Sequence, residues 1–166
     1  MVTTPEKYME RLVEILQKKK DILLNILDLT RKQTEAITED GLDVLNKLID
    51  GKQKKIDEID KLDEEFGVYF QRLKSTMGIS RLDQLDASKL DVATAEKARS
   101  LKSLTAEIMD VIKSISELEE INSRKSQELL GEFSKQIRSI NQGKKANNAY
   151  KPAPYSAPSY FVDKKK

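Results

Sequence analysis

This chain has no cysteine and no histidine. The first absence excludes disulfides, thiolate zinc sites and cysteine nucleophiles. The second removes the commonest general base and the commonest transition-metal ligand. Glycine is sparse as well: its six residues are scattered singly, so no Gly-rich loop is there to cradle a phosphate. No apolar run approaches the ~18 residues that cross a bilayer, and the N-terminus lacks the apolar stretch of a signal peptide. The expectation is a soluble, cytoplasmic protein with no cofactor, no metal and no stable membrane insertion.

Proline is confined to two places, Pro5 and the run Pro152, Pro154 and Pro158. Between them, up to Asn141, Leu, Ile, Lys and Glu recur at helical spacing. Residues 142–166 show no such stripe, cannot bury a core of their own, and read as a disordered, basic tail. Yet this tail holds Tyr150, Tyr155, Tyr160 and Phe161, four of the nine aromatic residues. Solubility does not require aromatics, so these are candidate contacts for a partner. The tail has six Lys and one Asp, a net +5 in a chain of net +2, which leaves residues 1–141 at −3. Neither value is extreme, and residues 1–141 lack the clustered Lys/Arg stripe of a nucleic-acid binder.

Three helices can be read from the spacing, over about 5–37, 40–77 and 92–141. Thr3-Thr4-Pro5-Glu6 is a helix start, with a hydroxyl cap, proline in the first turn and acid near the positive end of the dipole. Two adjacent stripes follow. One runs Leu12, Ile15, Ile22, Ile26, Leu29 and Ala36, interrupted by Lys19 and Gln33; the other runs Met9, Val13, Leu16, Leu23, Leu27 and Ile37. Together they make a face broad enough for two neighbouring helices. Thr38-Glu39-Asp40-Gly41 is the next punctuation. Beyond it, nine of eleven positions in strict three-four alternation are apolar, from Leu42 to Met77, the exceptions being Lys52 and Asp63. Such a seam favours coiled-coil-like packing.

Met77-Gly78-Ile79-Ser80 ends the second helix, and residues 81–91 read as a loop. The third helix opens with a clean stripe: Leu101, Leu104, Ile108, Val111, Ile115 and Leu118. It turns polar at Asn122-Ser123-Arg124-Lys125-Ser126, a layer that would set register, and resumes at Leu130, Phe133, Ile137 and Ile140. The fold expected is all-α: an elongated antiparallel three-helix bundle over residues 1–141. At 1.5 Å per residue the first helix spans roughly 50 Å and the third roughly 70 Å, so the third should outrun its partners near Leu129–Ile140. That stretch reads either as ordinary bundle core or as a docking face for another amphipathic helix. The acidic clusters Asp63-Glu64-Glu65 and Glu117, Glu119, Glu120 are assigned to solvated outer faces, and Lys18-Lys19-Lys20 to one solvated turn. Without buried carboxylates of shifted pKa, no enzyme is expected.

Leu23–Phe66, LLNILDLTRKQTEAITEDGLDVLNKLIDGKQKKIDEIDKLDEEF, resembles the FlgN family of flagellar type III export chaperones. The likeness lies in the Lys32-Gln33 pair, the Asp40-Gly41 entry and the run from Leu45 and Leu48 to Lys52-Gln53. The polar stretch from Asn122 to the Leu129-Leu130 pair is similar too, as are Gly143-Lys144-Lys145-Ala146 with its following Tyr150 and the terminal Tyr160-Phe161-Val162-Asp163-Lys-Lys-Lys. The resemblance implies a cytosolic chaperone, without ATPase activity, for the hook-associated proteins of the hook–filament junction. It would cover an apolar stripe of the secreted subunit, prevent premature assembly and deliver the complex to the flagellar export gate. Carried over by position, Leu129, Leu130, Phe133, Ile137 and Ile140 form the cargo face, and Tyr150 contacts the gate.

Two other classes compete. The same stripes would serve a structural or adaptor coiled coil forming a homo-oligomer, and they leave a homodimer open within the chaperone reading. A nucleic-acid or membrane-surface binder acting through the lysine-rich tail would show salt-sensitive binding. The filament-cap chaperone family is a near rival within flagellar export.

Overall fold

Capping chemistry decides where each helix begins and ends. The computed structural model describes residues 4–81, 84 and 90–146, which form α1 (Pro5–Ala36), α2 (Leu42–Met77) and α3 (Val92–Ala146). Thr4 caps α1 by accepting a bond from the Lys7 N–H at 3.4 Å, with Pro5 in the first turn, where its missing N–H costs nothing. The chain then turns sharply through Thr38–Gly41. A Cβ at Gly41 would lie 2.0 Å from the Ala36 carbonyl oxygen, so this close return admits only glycine. Gly78 ends α2 in the left-handed region at φ 67°, and the Ile79 N–H closes back onto the Lys74 carbonyl at 3.2 Å.

Asp91 opens α3. Its carboxylate accepts the Thr94 N–H at 2.8 Å, and the bonds from Thr94 hold its pKa below the usual carboxylate range. A lowered folded-state pKa means that this exposed cap is intact above the ordinary Asp pKa and is lost as pH falls through the carboxylate range. The helix runs to Ala146, beyond the Asn141 boundary read from the spacing.

Cross-helix bonds set the directions. Lys19 meets Asp63 at 2.7 Å and Gln33 meets Lys52 at 2.7 Å; numbers rise on α1 as they fall on α2, so the two are antiparallel. Lys20 meets Glu107 at 2.9 Å and Thr34 meets Asn122, so α3 runs parallel to α1. Helix α1 packs along both others, while the backbones of α2 and α3 scarcely approach each other. Its two stripes serve the two neighbours, as the width of its apolar face requires.

Most of the bundle shares one core. Met9, Leu12, Leu16, Leu23 and Ile26 of α1 close against Ile59 and Leu73 of α2 and against Ala98, Leu101, Leu104 and Ile108 of α3. Tyr8, Tyr69, Phe66 and Phe70 seal its lower end, with Arg11 and Arg72 stacked on the Tyr69 ring at 5.8 and 5.4 Å. A second, smaller core of Ala36, Ile37 and Leu45, with Leu48, Ile49 and Leu129 around it, closes the other end.

Two readings of surface charge change with the structure. Lys19 and Lys20 are not free solvated side chains: each pairs across a helix interface, with Asp63 and Glu107. Likewise Asp63, Glu65 and Glu119, though 49%, 33% and 38% exposed, take Lys19, Arg11 and Lys52 on neighbouring helices as partners. In each case a long cationic side chain carries its charge to a carboxylate on the next helix.

Truncation at the two ends of the α3 stripe should separate core from overhang. Leu101 is fully enclosed, and Leu101→Ala is expected to cost about 2–5 kcal/mol. Ile140 is 55% exposed, and Ile140→Ala should change stability by less than about 0.5 kcal/mol. Urea unfolding followed by circular dichroism measures both; equal losses would mean that Ile140 belongs to the core.

Candidate functional site

Helix lengths are unequal, and polar side chains decide where the excess falls. Lys52 is buried on α2. Its ammonium donates to Gln33 of α1 at 2.7 Å and to Glu119 of α3. One turn further, the buried amide of Asn122 donates to the Thr30 carbonyl at 3.2 Å and accepts from the Thr34 hydroxyl, while Lys125 donates to the Thr34 carbonyl. This layer lies between the large core and the small one. It ties all three helices into a single register.

From that register the free end of α3 can be located. Asn122 is level with Thr30–Thr34, so α1 ends a turn or so later, at Ala36. The Lys52–Glu119 pair, extended along antiparallel helices, brings the start of α2 at Leu42 level with Leu129. Among the described residues of α1, α2 and their connection, the turn reaches highest, where Gln136 donates to Glu39 at 3.3 Å. Beyond that point α3 continues to Ala146 past the described ends of α1 and α2, about 15 Å further at 1.5 Å per residue.

The five residues carried over as a cargo face do not share one environment. Leu129 packs on the small core beside Ala36, Ile37 and Leu45. Leu130, Phe133 and Ile137 are half-buried and Ile140 is exposed, and among the described residues none of these four belongs to either core. They continue the line of Leu101, Leu104, Ile108 and Ile115 at three- and four-residue steps, so the side of α3 that is core lower down is only partly covered here and is exposed at Ile140. Glu132 and Lys135, an exposed pair at 3.6 Å, lie outside the stripe. Tyr150 lies outside the described residues.

The arrangement suits binding rather than bond chemistry. It offers an apolar helical strip with polar flanks, the form in which one amphipathic helix receives another. No group of three or more potential metal-ligating His, Cys, Asp or Glu side chains occurs among the described residues, and no described helix is long and apolar enough to cross a membrane.

Sequence reasoning placed the polar layer at Asn122–Ser126 but missed Lys52, Gln33 and Glu119. The signal was present. Both interruptions of the first α1 stripe, Lys19 and Gln33, find their partners at the two interruptions of the α2 seam, Asp63 and Lys52. Antiparallel alignment of the stripes would have paired them.

Compared with known proteins, the chain matches one family model, described as FlgN protein, over residues 8–154. No curated protein and no solved structure matches it.

The two halves of the polar layer should differ in weight. Asn122 is enclosed and both ends of its amide are bonded to α1, so Asn122→Ala is expected to cost about 1–3 kcal/mol. Lys52→Met keeps the buried stem and releases Glu119, whose side chain is 38% exposed and can rehydrate, but it leaves the buried Gln33 carbonyl oxygen without its donor; its cost should be about 1 kcal/mol. Thermal melts rank them, and a larger loss for Lys52→Met would reverse this assignment.

Proposed function

The chain belongs to the FlgN family, the chaperones of flagellar export, and from that premise we propose that it holds hook-associated proteins on the free end of α3 and brings them to the export gate. The observation that carries this reading is the stripe Leu130, Phe133, Ile137 and Ile140, outside both cores and increasingly exposed toward Ile140, on a helix that outlasts both its neighbours. A secreted subunit whose terminal helix is amphipathic would otherwise pair with its own kind. Laid along α3, its apolar face is removed from water at roughly 25 cal/mol per Å² of buried surface. Leu129, set in the small core, gives that strip a rigid base.

Release matters as much as capture, because the cargo must leave for secretion. A narrow strip and an ordering cost of a few kcal/mol for the incoming segment keep affinity moderate. The chaperone acts in the cytoplasm, with Tyr150 as the contact to the gate and its position after α3 as the support for that assignment.

Phe133→Asp combined with Ile137→Asp is expected to weaken binding of a purified hook-associated subunit by roughly 100-fold or more, measured by titration calorimetry. Helicity should be kept, since both side chains lie outside the cores. Unchanged affinity would refute the cargo face. Tyr150→Ala should retain cargo and lose capture by the cytoplasmic part of the export gate in a pull-down.

A further inference from the structure

Gly131 sits inside the 55-residue α3 with neither a packing nor a backbone reason to be glycine. Gly41 makes room for the Ala36 carbonyl oxygen, and Gly78 holds a left-handed φ. A Cβ at Gly131 would meet nothing within 4 Å, and its φ is not positive. What the residue changes is the free energy of the helix itself. We propose that Gly131 sets the affinity of the distal α3 face: it keeps the helical form of residues 132–146 a minority in the free protein, so an incoming helix must also fold the arm that receives it. That the incoming helix is cargo rests on the chaperone reading above.

Anchoring stops where this glycine stands. Leu129 packs on the small core, and α2 begins level with it at Leu42. Past Gly131, among the described residues, the exposed bond from Gln136 to Glu39 at 3.3 Å ties the arm to the turn, and none of residues 132–143 is buried. A break at Gly131 therefore releases the arm with no loss from either core.

The arm grows from an existing helix and needs no nucleation, so its fate is decided residue by residue. Gly131, Ser134, Ser139, Asn141 and Gly143 are all weak helix formers. The exposed pair Glu132–Lys135 at 3.6 Å adds little. With so few neighbours, extending the helix past Gly131 loses more conformational entropy than it recovers. Glycine is about fivefold less favourable than alanine in a helix interior, the equivalent of ~1 kcal/mol. Only the folded arm presents Phe133, Ile137 and Ile140 on one face. The apparent dissociation constant is then the intrinsic one divided by the folded fraction. Gly131 thus weakens capture, which suits a ligand that must be given up.

Gly67 is the internal comparison. A Cβ there would also meet nothing within 4 Å, but Ile59 and Leu73 on either side of it are buried in the large core. Its penalty is absorbed by packing and is felt only when the whole bundle unfolds. The same substitution at the two glycines separates local from global order.

Cα chemical shifts of the full-length protein give the helical fraction of residues 133–143. That fraction is expected below about one half, against full helicity at 101–122, and Gly131→Ala should raise it by roughly two- to fivefold. Titration calorimetry with a purified hook-associated subunit should show the dissociation constant falling by the same factor. Gly67→Ala should raise the melting temperature and change neither quantity. Full helicity of 133–143 in the unaltered protein, or no rise in Gly131→Ala, would overturn the proposal. A raised fraction with an unchanged dissociation constant would overturn the link to affinity. If neither protein binds the subunit, the chaperone reading falls and the affinity claim with it, while the shifts show separately whether the arm is folded.

Discussion

Lys52 carries a charge into the interior of the bundle, between Gln33 and Glu119 and one turn from the amide of Asn122. Apolar stripes alone would let these helices slide past one another by a heptad, since leucine and isoleucine replace each other along a seam with little loss. Sliding would carry an ammonium and an amide onto hydrocarbon, at a cost of several kcal/mol for each unpaired group. One register is therefore preferred. Because helix lengths are set separately, by caps and glycines, that register also decides how much of α3 is left without a neighbour.

The layer divides the molecule into unequal parts. Below it, eleven buried side chains from all three helices form a continuous core. Above it, the small core among the described residues is formed by Ala36, Ile37 and Leu45, and α3 then runs on past the ends of both neighbours. Packing thus declines steadily toward the C-terminal end of α3. Buried polar pairing is concentrated where register is fixed, and exposed apolar surface lies toward the end of α3. The same stripe runs through both, changing from core to surface only because its neighbours stop.

Much of this was legible in the residues. Pro5, Gly41 and Gly78 mark boundaries by backbone chemistry that acts within a few residues, so α1 and α2 were placed to within one or two positions of their ends. The double stripe of α1 announced two neighbours, and the polar break at Asn122 announced a register layer. What failed was the fate of charged groups. Lys19, Lys20, Asp63, Glu65 and Glu119 look like solvated surface one helix at a time, and become interhelical partners only when two faces meet. The candidate site was half legible: its apolar spacing is plain in the sequence, but Leu129 looks like its neighbours and turns out to be packed.

By itself, then, the sequence determined three amphipathic helices, their approximate limits, the absence of catalytic side chains such as Cys and His, and a likeness to an export-chaperone family that the comparison bears out. These are local properties, written in periodicity, caps and composition. Tertiary structure decided which polar groups are paired, which helix lies in the middle, and where along the α3 stripe burial gives way to exposure. Those depend on the relative placement of distant segments, and periodicity says that a face is apolar without saying what, if anything, stands opposite it.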